Sequence, residues 1–291
     1  MPPTEPSIAS GPAAPLWLFV VAAACVPVTG LVLVRISRWW ESGASLPLPM
    51  DEAWAGGALA PAVGVALFFV MMVAMLAIAQ GYAAGRRAGL WPWEPLGVPE
   101  MLSPGMFLAQ ALPPLVGLAV VLGFGRGAAA TVGIRVGNVR MTVLAGVVAF
   151  TAALPVCIVA LKVNAVLVAL LGEVPREHPL LVTVHETPAA WVMAAALVQA
   201  AVLAALAEEF IYRGVLMTSL LPHAGAAGAL AITSAVFALV HLPTEPQAVL
   251  PLFILALAMG WAAYWTRSLL APVIAHALFN GLMVVSTFAA R

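Results

Sequence analysis

The stretch AAWVMAAALVQAAVLAALAEEFIYRGVLMTSLL, residues 189–221, is apolar almost throughout, yet it holds Glu208, Glu209 and Arg213 in its interior. At 1.5 Å of rise per residue, such a run is more than long enough to cross a hydrocarbon layer about 30 Å thick. A charge in the middle of a span costs about 2.5–3.5 kcal/mol on insertion scales. Three charges within six positions therefore mark a functional site that faces protein or a water pocket.

The rest of the chain is built for the same solvent. Of 291 residues, 64% are hydrophobic and only 8% charged, and the mean hydropathy is +1.07, which predicts an integral membrane protein. The formal net charge of +0 and the lack of basic runs exclude a nucleic-acid partner. Cys25 and Cys157 both sit in apolar runs and supply neither a disulfide framework nor a cysteine-ligated zinc site.

Apolar runs of about 20 residues predict an all-α, polytopic membrane helix bundle of about eight transmembrane helices. The runs are Leu16 to Val34, Gly56 to Ala79, Met106 to Phe124, Met141 to Leu161, Ala189 to Leu221, Ala226 to Leu242, Ala248 to Trp265 and Leu269 to Ala290. Three segments follow: a polar N-terminal tail over 1–15, about four helices over 16–185, and a core of about four helices over 186–291. The fourth run continues past Lys162 to Leu171, either as one long helix kinked at Pro155 or as a span followed by an interfacial segment. Trp39, Trp40, Trp91 and Trp93 lie in polar connections beside arginines, as suits the membrane interface. Arg35, Arg38, Arg126, Arg135, Arg140 and Arg267 fall in loops after odd-numbered spans, against Arg86, Arg87, Arg176 and Arg291 on the other side. That bias places the odd loops in the cytoplasm.

Polar residues in the last four spans fall into three groups. In Glu208-Glu209-Phe210-Ile211-Tyr212-Arg213, Glu209 and Arg213 lie four apart on one helical face, where an ion pair lowers the cost of burying both. Glu208 is rotated off that face without a partner on its own helix, and so is available to take a proton. Phe237-Ala238-Leu239-Val240-His241 puts a histidine at the end of a short span, and His276-Ala277-Leu278-Phe279-Asn280 points two polar side chains the same way. Tyr212, Phe210 and Phe237 read as packing residues, and His178, His185 and His223 as solvated. Lys162 with Asn164 reads as a pair reaching for the interface.

These groups, Glu-Glu-x-x-x-Arg, then Phe-x-x-x-His, then His-x-x-x-Asn, resemble in order the signature of the CAAX protease and bacteriocin-processing family, also called the Abi family. The resemblance covers about Ala189 to Ala290. It implies an intramembrane endopeptidase related to CAAX prenyl protease 2. Glu208 and His241 would activate water for attack on a peptide carbonyl, His276 and Asn280 would stabilise the oxyanion, and Glu209 and Arg213 would support the site. It favours a mechanism with no cofactor; if zinc were bound, Glu208, His241 and His276 would offer three ligands with an open fourth position. A zinc-protease His-Glu-x-x-His helix is absent, since His185-Glu186 continues as Thr187-Pro188. An aspartyl mechanism needs two aspartates, and Asp51 is the only one. No serine sits in a Gly-x-Ser-Gly setting.

The expected partners are membrane lipid and a membrane-associated or lipidated peptide or protein substrate. Eleven Arg to one Lys in an Ala- and Gly-rich chain suggests a bacterial cytoplasmic membrane. Two other readings use the same residues: a non-proteolytic membrane scaffold or bacteriocin-immunity protein on this fold, and a transporter, since intramembrane charges also mark ion pathways.

Overall fold

The computed structural model describes residues 15–42, 60–91, 97–125, 127–135 and 137–290. The polar tail over 1–14, Asp51, Trp93, Arg126 and Arg291 lie outside the described residues, as do the side chains of Trp39 and Trp40. The chain is all-α, with no strand among the described residues, and seven helical runs are long and apolar enough to cross a membrane. It is an integral membrane protein.

In chain order the helices are α1 (Leu16–Glu41), α2 (Pro61–Arg87), α3 (Pro104–Gly123), α4 (Val139–Leu170), α5 (Pro179–Glu186), α6 (Ala190–Leu239), α7 (Val249–Thr266) and α8 (Leu270–Ala289). Seven runs and about eight predicted spans differ at one place. The fifth and sixth predicted spans form α6, a 50-residue run whose backbone leaves the helix at Gly225, with φ 64° and ψ 177°. Only glycine takes that conformation without steric cost, so α6 is two arms, 190–224 and 226–239, joined at a hinge.

Helix α4 is one continuous helix of 32 residues through Pro155. Asn138 starts it by accepting the Met141 N–H at 3.1 Å, the usual role of an N-cap side chain. Its far end anchors the next elements, because the Asn164 amide donates to the carbonyls of Pro246 and Gln247 at 2.9 Å each. Asn164 is therefore a clamp rather than an interface residue, while Lys162 is exposed.

Helix α4 lies against α1, α7 and α8. Thr29 of α1 donates to Cys25 O at 3.2 Å and Ala152 O at 3.0 Å, the sort of hydroxyl bond that joins helices in lipid. Against α8, a side chain at Gly146 would meet the Ala271 carbonyl at 2.5 Å. Glycine at 146 lets the two backbones approach.

Candidate active site

Glu208 and Glu209 sit between two π-helical stretches of α6, Val198–Ala204 and Phe210–Met217. Such wide turns frequently occur at functional sites. They also change the hydrogen-bond bookkeeping locally, and the Ala200 carbonyl accepts the Asn280 amide of α8 at 2.9 Å.

The buried centre is a three-way cluster. Arg213 Nη1 donates to Glu209 Oε1 at 2.8 Å, with the two side chains 1% and 0% exposed. Arg213 Nη2 donates to the Ala256 carbonyl of α7 at 3.0 Å, and the guanidinium lies 5.0 Å from the centroid of the Phe237 ring. The same Glu209 oxygen lies 2.8 Å from His276 Nδ1, so the imidazole donates that N–H to the carboxylate and is fixed in orientation. The predicted pair forms, and a histidine from α8 joins it.

That bond turns His276 Nε2 toward Glu208, whose Oε2 is 3.8 Å away; the Glu208 side chain is 22% exposed. Glu208 is thus without a partner on its own helix, as the spacing predicts, but it faces an imidazole across the bundle. His241 Nδ1 lies 2.7 Å from its own-helix Phe237 carbonyl. The carbonyl can only accept, so Nδ1 carries the proton of that bond and Nε2 is the ring nitrogen left for other partners. Phe237 packs against both imidazoles, its ring centroid 5.1 Å from that of His241 and 5.9 Å from that of His276. Tyr212 packs edge-on to Phe237 at 5.1 Å, a packing role as predicted.

The structure therefore brings Glu208, Glu209, Arg213 and His276 into one contact set. His241 approaches across Phe237 without a direct ion pair to Glu208, and Asn280 sits one helical turn beyond His276 with its amide on Ala200. Among the described residues no three His, Cys, Asp or Glu side chains assemble as a metal-holding group.

Two residues join from the connections. Glu245 lies in the turn that follows His241, its backbone N–H bonded to the His241 carbonyl at 2.9 Å. Its carboxylate oxygen is 3.9 Å from His178 Nε2, and its side chain is 13% exposed. His178 is not simply solvated: its Nδ1 accepts the Leu180 N–H at 3.1 Å and caps α5. Burial, and then the nearby His241, push the His178 imidazole below its ordinary range, so it is neutral near pH 7 with its proton on Nε2, toward Glu245. Burial pushes the Glu245 carboxyl up to about 7, and the Glu208 carboxylate adds to the effect. The segment around Arg176 closes over this end, since its N–H donates to Gln247 Oε1 at 3.0 Å. In the sequence the only sign of Glu245 is its place four residues after His241, inside a proline-bounded turn that reads as a plain connection.

A carboxyl with a raised folded-state pKa stabilises the fold fully below its unfolded value, and that stability is lost as pH rises through about 7. Glu245→Gln removes this dependence. The stability difference between variant and wild type is expected to move in the variant's favour by up to about 3 kcal/mol between pH 4.5 and 7.5, read by thermal unfolding in detergent. A difference that stays constant with pH refutes the assignment.

Residues 189–282 match the family model described as type II CAAX prenyl endopeptidase Rce1-like. No curated protein and no solved structure matches the chain. The match spans the three polar groups from Glu208 to Asn280 and leaves α1 to α5 outside it. Residues 189–282, about a third of this membrane protein, are thus similar to the Rce1-like type II CAAX prenyl endopeptidases.

Proposed function

We propose that the protein is an intramembrane endopeptidase that hydrolyses a peptide bond in a membrane-associated or lipidated protein, with residues 186–291 as its catalytic core. The observation that carries this reading is the partly exposed Glu208 carboxylate held beside the His276 imidazole, with His241 packed on the same Phe237 ring that His276 touches. In this scheme Glu208 and His241 take a proton from water as its oxygen attacks the peptide carbonyl. The C–N bond then breaks and the same proton passes to the leaving nitrogen. His276, oriented by Glu209 through Nδ1, and Asn280 hydrogen-bond the developing oxyanion. No resident metal takes part. The Arg-rich, Lys-poor composition supports a bacterial cytoplasmic membrane.

The scaffold reading would explain the buried Glu209–Arg213 pair, which needs no chemistry. It gives no reason to keep Glu208 partly exposed and facing His276. Transport is less well supported, because the polar groups gather at one end of one cluster rather than along a path.

The test is hydrolysis of a lipidated peptide by purified protein in vesicles, with and without chelator. Chelator-resistant cleavage is expected, and cleavage lost with a stoichiometric metal overturns the metal-free scheme. Asn280→Ala is expected to slow turnover by about 10²–10³-fold, the cost of one oxyanion donor. Unchanged turnover would leave Asn280 as a clamp on the Ala200 carbonyl alone.

A further inference from the structure

On the opposite face of α6 from Glu208, a cavity of about 570 Å³ lies between α3, α6 and the start of α8. That is within the roughly 300–1,000 Å³ of sites that enclose a drug-sized ligand. Its walls are apolar: Pro114 and Leu118 from α3, Leu206 and Phe210 from α6, Val273 from α8. Leu206 is 53% exposed, so the cavity is open along the perimeter of the bundle rather than sealed in the core.

One end differs from the rest. Arg135, in the connection between α3 and α4, lines the rim and is exposed. Among the described lining residues it is the only charged one, and none of them is a carboxylate. The rim itself is fixed, because the Gly133 carbonyl accepts the Leu269 N–H at 2.9 Å and so ties the Arg135 segment to the entrance of α8. The connection lies beyond the end of α3, where an apolar span gives way to the headgroup region. A cation placed there attracts anionic headgroups.

We propose that this groove is a binding site for an anionic phospholipid, one acyl chain lying between α3 and α6 and the phosphate facing Arg135. The site is lateral and separate from Glu208, so it does not depend on the endopeptidase reading. Its position matters for that reading, because Leu206 and Phe210 flank Glu208 and Glu209 on the same helix and a chain packed against them braces the catalytic turn from behind.

The experiment exchanges purified full-length protein into vesicles of equal phosphatidylglycerol and phosphatidylcholine, then counts the lipids that remain bound per chain by native mass spectrometry. Wild type is expected to keep about one phosphatidylglycerol in preference to phosphatidylcholine. Arg135→Gln should retain about fivefold less phosphatidylglycerol, the effect of one headgroup charge contact, with phosphatidylcholine unchanged. Leu206→Trp, which fills the groove from a half-exposed position, should lose the bound lipid while circular dichroism shows the same helix content. Equal retention of both lipids by wild type, or full retention by either variant, overturns the proposal.

Discussion

Glu208→Gln is expected to lower peptide hydrolysis by about 10²–10⁴-fold, the usual contribution of a positioned proton acceptor, in a protein that still inserts and keeps its helices. The substitution is nearly isosteric and removes the carboxylate basicity without opening a cavity. It also spares the fold, because Glu208 makes none of the buried bonds at the centre. Those belong to its neighbour Glu209, which binds Arg213 and His276 through one oxygen. The His276 imidazole should therefore keep its orientation in the variant, so that lost turnover reports lost chemistry. Circular dichroism and thermal unfolding beside the turnover assay check this. Wild-type turnover in the variant would show that Glu208 does not handle the proton.

Arg213→Met is expected to destabilise the bundle by about 3–5 kcal/mol, the cost of leaving one member of a buried pair without its partner. Glu209 is 0% exposed, so its charge cannot turn to water once the guanidinium is gone. The Ala256 carbonyl loses its donor in the same step. The double variant Glu209→Gln with Arg213→Met should be less destabilised than the sum of its two singles, because it leaves no uncompensated charge. Thermal unfolding of the three variants in detergent measures this coupling. An Arg213→Met protein that unfolds with wild type would place the stabilising contacts elsewhere.

What the sequence reveals about this site follows from the range over which each interaction acts. The Glu209–Arg213 pair is legible because i, i+4 spacing on one helix decides it, and it survives even though Phe210–Met217 is wound as a π-helix. The Glu209–His276 bond joins residues 67 apart in the chain, and no local period encodes it. Gly225 reads as a loop between two spans, and the structure gives it that role, yet hydropathy does not show that the helices on either side run almost without a gap. Lys162 divides an apolar run in composition only, since a long side chain reaches water from within a continuous helix; α4 accordingly runs unbroken to Leu170. His178 and Glu245 read as loop residues because their burial comes from the fold of two connections over the end of the bundle. Neither periodicity nor composition carries that information.

The comparison that bears most directly on the central claim is between the membrane proteomes of cells carrying the wild-type protein and cells carrying Glu208→Gln at equal abundance. Proteolysis through the Glu208 carboxylate predicts C-terminal or juxtamembrane fragments present with the wild type and missing with the variant. Identical fragment sets in the two membranes would contradict it and leave the scaffold reading in its place.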